Sequence, residues 1–270
     1  MTDTSTPPGV VAARKRQARF RPVPLRLLIP NLLTLLALCL GLTAIRFAFE
    51  GSIEWAVSAI ATAAVLDGLD GRVARALKGT SKFGAELDSL ADFVDFGVAP
   101  GIVLYVAGLN RLNGLGWLVV LLFVMAGALR LARFNVMIDD PDQPAWRKTF
   151  FVGMPAPAGA VVGLLPVYLK FLSGADHAAN GALLGLEASY VFVIALLMAS
   201  RVPHFSGKSI GRVPREYVAG VLIALAGGLL SVVYYPLQAL VALSLAYLAS
   251  IPFALRHFRK LQNENPPSPG

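Results

Sequence analysis

The sequence predicts an all-α polytopic membrane protein of about eight transmembrane helices, both termini cytoplasmic. Three observations predict it. Of the 270 residues, 56% are apolar and only 15% are charged, where a soluble domain carries roughly 25% charged residues; mean hydropathy is +0.65. The apolar residues fall into blocks, each with room for the roughly 20 residues a helix needs to cross a bilayer. The basic residues gather between alternate pairs of blocks. Together these exclude a water-soluble globule. The net charge of +8 has its use at the anionic cytoplasmic leaflet, so membrane lipids are expected as partners and nucleic acid is not.

Taken in order, residues 1–28 form a basic cytoplasmic segment. Residues 1–9 are polar and Pro-containing. Arg14, Lys15, Arg16, Arg19, Arg21 and Arg26 then read either as an interfacial helix up to Pro22 or as a solvated basic tail. The first apolar block follows this long lead, so no cleavable leader is expected. Spans are expected at 29–49, 53–78, 83–109, 113–136, 155–173, 180–200, 215–234 and 236–257, making one helical domain over 29–257. Residues 258–270 form a polar tail. Cys39, the single cysteine, lies inside the first span, cannot form an internal disulfide, and reads as packing. With the N-terminus inside, only Arg46, Arg111 and Lys170 of the 24 Lys and Arg fall toward the outside. This frame satisfies the positive-inside rule at every connection, and a shift by one span breaks it.

The acidic residues carry the functional signal. Asp67, Asp70, Asp88, Asp92 and Asp95 lie at the inner ends of the second and third spans, where ionised groups are costly and mark function. On a helix, Asp67 and Asp70 share a face with Gly71, Ala74 and Lys78, with Arg75 on its flank. Gly84, Asp88 and Asp92 recur every four residues, and Asp95 continues the stripe. A turn over 79–82 makes the two helices antiparallel neighbours. Four carboxylates then face one gap and cannot all stay ionised without compensation. Two divalent cations would neutralise them, and oxygen-only ligands suit Mg²⁺ or Mn²⁺ rather than zinc. Gly71, Ala74 and Gly84 leave space for a ligand, and Arg75 suits a phosphate. Interhelical salt bridges with Arg72 and Arg75 are the plainer alternative, but the aspartates outnumber the bases on their faces. A divalent-cation transporter is another, disfavoured because the aspartates sit at inner helix ends rather than at mid-membrane.

Asp67-Gly68-Leu69-Asp70-Gly71-Arg72-Val73-Ala74-Arg75, eight further residues, then Gly84-Ala85-Glu86-Leu87-Asp88-Ser89-Leu90-Ala91-Asp92 fit the pattern D-x-x-D-G-x-x-A-R, eight residues, G-x-x-x-D-x-x-x-D. The chain thereby resembles the CDP-alcohol phosphatidyltransferases. The resemblance implies two divalent metals held by Asp67, Asp70, Asp88 and Asp92. It implies transfer of a phosphatidyl group from a CDP-lipid to an alcohol with release of CMP, and a homodimer. It makes Asp92 the general base that deprotonates the acceptor hydroxyl, or else a plain metal ligand. It assigns the CDP-lipid to Gly71, Ala74, Arg75 and Gly84, and Lys78, on the same helix face, is expected to join them. Asn31 and Thr34 either touch the nucleotide or make a cap or interhelical bond.

Further motifs are similar to the bacterial integral-membrane branch of that family, whose donor is CDP-diacylglycerol and whose acceptor is L-serine. They are Ile29-Pro30-Asn31-Leu32-Leu33-Thr34, Phe96-Gly97-Val98-Ala99-Pro100, the run from Ala128 to Asn135, Gly153-Met154-Pro155-Ala156-Pro157, and the run from Ser200 to Lys208. Glycerol 3-phosphate or choline is the alternative acceptor. Serine's carboxylate calls for a cation, and Arg130, Arg133 and Arg201 stand at inner helix ends. Asp95, where that branch leads one to expect Ser, is a candidate for the ammonium. The expected location is the inner membrane of a bacterium, with the site facing the cytoplasm.

Overall fold

Small residues decide how the first two helices meet. In α1 (Leu25–Phe49), Thr34, Ala37, Gly41, Ala44 and Ala48 recur every three or four residues and are buried. In α2 (Ile53–Ala76), Ala56, Ala59, Ile60 and Ala63 are buried in turn. Seams of this size let two backbones approach closely, and α1 and α2 make the most extensive pairing among the described elements. The computed structural model describes residues 25–77, 79, 81–138, 150–174, 181–205, 220 and 234–264. The turn that reverses the chain after α1 has Gly51 at φ +77°. Its N–H donates to the Ala48 carbonyl (3.0 Å), and the Ser52 N–H donates to that of Phe47 (2.9 Å). Only glycine adopts that conformation cheaply, and both orphan carbonyls of the helix end are satisfied.

Next come α3 (Lys82–Phe93), a π turn (Val94–Val98), α4 (Ala99–Ala107), a 3₁₀ turn (Leu109–Leu112) and α5 (Gly114–Ile138). The third expected span is therefore one continuous rod with a π turn inside it, and that turn buries Asp95, Phe96 and Gly97. The fifth span breaks in two, α6 (Ala156–Gly163) and α7 (Leu165–Ser173). Pro166 is the cause. It has no N–H to offer the Val162 carbonyl four residues back, and that carbonyl instead accepts from the Tyr190 hydroxyl at 2.7 Å. Tyr190 belongs to α8 (Gly181–Ala199), and the last described helix is α9 (Pro236–Glu264). The expected seventh span, 215–234, lies outside the described residues apart from Gly220 and Tyr234.

Leu104, Phe123, Leu164, Tyr168, Ile194 and Met198 form the centre of the core, drawn from α4 to α8. Leu32, Leu36, Leu118, Met125, Val136 and Leu186 stay exposed, as a lipid-facing surface requires. The chain is a multi-pass membrane protein. Six stretches are long and apolar enough to cross: Leu28–Phe49, Lys82–Ala107, Gly114–Met137, Ala156–Ser173, Gly181–Ala199 and Pro236–Phe258. At 24 residues, α2 spans roughly 36 Å, so it has the length. Glu54, Asp67, Asp70, Arg72 and Arg75 together deny it an apolar character.

The described residues are helical but for two three-residue strands, β1 (Phe150–Val152) and β2 (Pro203–Phe205). They pair antiparallel, with Phe151 opposite His204. The fold class remains all-helical, as expected, and the pairing is a local ribbon between two connections. Both segments read as connections, and the pairing joins residues some fifty apart in sequence, beyond any local signal.

Candidate active site

The site is assembled where α2 ends and α3 begins. The Ser81 hydroxyl accepts from the Gly84 N–H at 3.0 Å, an N-cap that fixes where α3 starts. Asp88 and Asp92 then follow on one face. Little backbone of α2 touches that of α3; both pack on α1. The gap between them is bridged by side chains instead. Carboxylate oxygens of Asp67, Asp70 and Asp88 lie within 4.8 Å of one another, and the side chains of Asp67 and Asp92 meet. All four aspartates expected to share a gap do so. Asp70 is only 5% exposed.

The donor set fits a hard divalent cation: three carboxylates, no sulfur and no imidazole. The ion pair of Arg46 with Glu50 lies elsewhere, and among the described residues none within 4.0 Å joins a Lys or Arg to these aspartates. No described Lys or Arg therefore pairs with these aspartates, contrary to what a simple salt-bridge network requires. Burial of several like charges with so little cationic compensation is strongly unfavourable, and bound divalent cations would relieve it.

Beside the carboxylates opens a cavity of about 190 Å³. Its walls are Pro30, Asn31 and Thr34 from α1, Asp70, Gly71, Ala74 and Arg75 from α2, and Gly79, Ser81, Gly84, Ala85 and Asp88 from the turn and α3. Six of the seven residues expected to hold the CDP-lipid, Asn31, Thr34, Gly71, Ala74, Arg75 and Gly84, thus line one space. Lys78, the seventh, lies outside the described residues. The glycines are there for room. A Cβ on Gly84 would come within 2.8 Å of the Asn31 Oδ1, whereas one on Gly71 would meet only the Arg75 guanidinium, at an ordinary contact distance of 3.5 Å. Thr34 also donates from its hydroxyl to Asp70 Oδ2 at 2.7 Å, so the interhelical bond is the contact this structure displays.

The residues expected near the acceptor are placed differently from one another. Arg130 is 7% exposed, lies 5.4 Å from the Phe134 ring centroid, and is within electrostatic reach of Asp92 and Asp67. Arg133 is turned elsewhere. Its Nη1 donates to the carbonyls of Ala199 (2.8 Å) and Ser200 (3.1 Å), at the end of α8. Such a cation satisfies helix-terminal carbonyls and the dipole together. Arg201 follows immediately and is exposed. Asp95 is 1% exposed, its Oδ1 has no hydrogen-bond partner, and it packs against Gly41, where a Cβ would collide with it.

Two features went unforeseen. The Asn135 amide donates to the Ser89 hydroxyl at 3.0 Å, tying α3 to α5. Gly41 opens α1 for Asp95. Asn135 ends one of the sequence motifs, and that was its only signal.

The profile of the CDP-alcohol phosphatidyltransferase family matches residues 27–207. A CDP-diacylglycerol–serine O-phosphatidyltransferase of Mycobacterium tuberculosis is 45% identical over 236 residues, covering 87% of this chain and 80% of that protein. Proteins of the same name from Helicobacter pylori and Bacillus subtilis are 39% and 36% identical; the alignments cover 66% of this chain in each case, and 73% and 90% of those proteins.

Proposed function

The chain belongs to the CDP-alcohol phosphatidyltransferase family, and from that premise we propose that it transfers the phosphatidyl group of CDP-diacylglycerol to the hydroxyl of L-serine, giving phosphatidylserine and CMP. The single observation that carries the chemistry is the convergence of Asp67, Asp70 and Asp88 beside a cavity lined by Gly71, Ala74, Arg75 and Gly84. The relatives' names carry the choice of serine.

In this reading Asp67, Asp70 and Asp88, with Asp92 in part, hold two divalent cations, Mg²⁺ or Mn²⁺. When bound, the cations supply Lewis-acid stabilisation of the diphosphate and of the leaving CMP. Arg75 and the glycine-lined wall hold the cytidine diphosphate, with Asn31 and Lys78 at its edge, while the Thr34 hydroxyl is engaged by Asp70. Asp92 takes the proton of the serine hydroxyl as its oxygen bonds to the phosphorus that carries the diacylglycerol. The bond from that phosphorus to the oxygen shared with CMP breaks, and CMP leaves with the electron pair. Arg130 and Arg201 are the cations offered to the serine carboxylate, while Arg133 fixes the end of α8 just before Arg201. Asp95 is the group offered to the ammonium, since its Oδ1 has no partner.

The proposed architecture has eight spans, α2 and residues 215–234 adding to the six apolar stretches. A catalytic domain over 29–257 lies between cytoplasmic tails 1–28 and 258–270. The inside-positive count puts the site at the cytoplasmic face of a bacterial inner membrane, and the protein acts as a homodimer. The test is CMP release by purified protein from CDP-diacylglycerol with a panel of alcohols. Release that depends on serine supports the proposal. Release with glycerol 3-phosphate or choline but not serine reassigns the acceptor, and metal flux in liposomes without any CDP-lipid would make it a transporter.

A further inference from the structure

We propose that Thr34 is a positioning residue for Asp70, acting through the cation site rather than on the nucleotide. The inference rests on the metal-dependent reading above and names a part that reading does not. Thr34 stands on α1, the helix on which both carboxylate-bearing helices pack. Its hydroxyl lies 2.7 Å from Asp70 Oδ2 and 3.2 Å from the Pro30 carbonyl. A hydroxyl has one proton, and the shorter contact, to a carboxylate, is the stronger acceptor. Both partners are 5% exposed, so water is a poor substitute.

The geometry leaves Asp70 little freedom. One carboxylate oxygen is held by α1, and a carboxylate oxygen of the same residue belongs to the cluster within 4.8 Å of Asp67 and Asp88. An aspartate free to rotate would lose entropy on binding a cation; one already oriented loses less. Outer partners of this kind commonly tune metal affinity by roughly 10–100-fold. A neutral donor orients Asp70 without competing for its charge, as a lysine would. Threonine's β-branch also restricts χ1 on a helix, where Oγ1 is held near the carbonyl four residues back, here that of Pro30.

The experiment measures Mn²⁺ binding by the full chain purified in detergent, using electron paramagnetic resonance of free Mn²⁺, for the parent, Thr34→Val, Thr34→Ala and Thr34→Ser. Val keeps the shape and removes the donor; Ala serves if Val disturbs the fold. The expected result is Mn²⁺ affinity lowered roughly tenfold or more in Val and Ala, and kept within roughly threefold in Ser. The Mn²⁺ concentration for half-maximal CMP release should rise in parallel, with the KM for CDP-diacylglycerol unchanged at saturating Mn²⁺. Unchanged Mn²⁺ affinity with a raised KM for CDP-diacylglycerol overturns the proposal and makes Thr34 a nucleotide contact. Asp88→Asn separates the two levels. If it binds Mn²⁺ as the parent does, the carboxylate cluster is not the metal site, and both readings fall.

Discussion

At the scale of single residues, charge and space explain the site. Asp88 has no described basic partner and shares its oxygens' neighbourhood with Asp67 and Asp70. Asp88→Asn keeps the shape and removes the charge. It should lower CMP release at least about a hundredfold while the protein still inserts in membranes; near-parent turnover would contradict the assignment. Glycines give a contrast of their own. A Cβ at Gly84 would press on Asn31 and Ser81, whereas at Gly68 nothing lies within 4 Å. Gly84→Val should raise the KM for CDP-diacylglycerol well beyond any change in Gly68→Ala, measured side by side. These residues were legible in sequence because helical spacing alone puts Asp67 with Asp70, and Gly84 with Asp88 and Asp92, on single faces. The hydroxyl partner of Asp70 was not, since nothing local links positions 34 and 70.

At the scale of elements, α1 is the wall on which the site is built. Its seam of Thr34, Ala37, Gly41, Ala44 and Ala48 brings α2 close, and Gly41 makes room for the π turn that carries Asp95. Filling that room should cost about 1–3 kcal/mol of overpacking. Gly41→Ala should therefore lower the thermal midpoint in detergent, whereas Gly185→Ala, where nothing lies within 4 Å, should leave it near the parent's. Equal midpoints would mean α1 yields without strain. Spans were readable as apolar blocks because bilayer thickness sets their length. Their interruptions were not. Gly97 lies within the π turn at 94–98 and Pro100 just after it, but neither residue type by itself selects a π turn over an unbroken helix. Pro166 marked a weak point in the fifth span, but only Tyr190, from another helix, shows how the freed carbonyl is satisfied.

At the scale of the whole molecule, α3, which carries two of the carboxylates, belongs to a stretch apolar enough to span, and α2, which carries the other two, does not. The acidic end of α2 is stable only if its charges are answered, and the described residues supply there one hydroxyl, that of Thr34, and no ion pair within 4.0 Å. The activity should therefore stop in excess chelator and return with Mg²⁺ or Mn²⁺, followed as CMP release. Full activity in chelator would remove the reason for the cluster. The same dependence should appear in stability, since a ligand bound only by the folded state raises its thermal midpoint.

By itself the sequence determined the membrane class, most span positions and the grouping of the four aspartates. Each of these is written in composition or in a period of three to four residues, which are local quantities. Tertiary structure alone decided that α1, rather than direct packing of α2 on α3, frames the cavity. It also turned Arg133 to the end of α8 while Arg130 stays beside Asp92, and it joined residues 150–152 to 203–205 as strands. Those outcomes depend on contacts between positions far apart in the chain, where side-chain fit and unsatisfied hydrogen bonds, not periodicity, choose the partner.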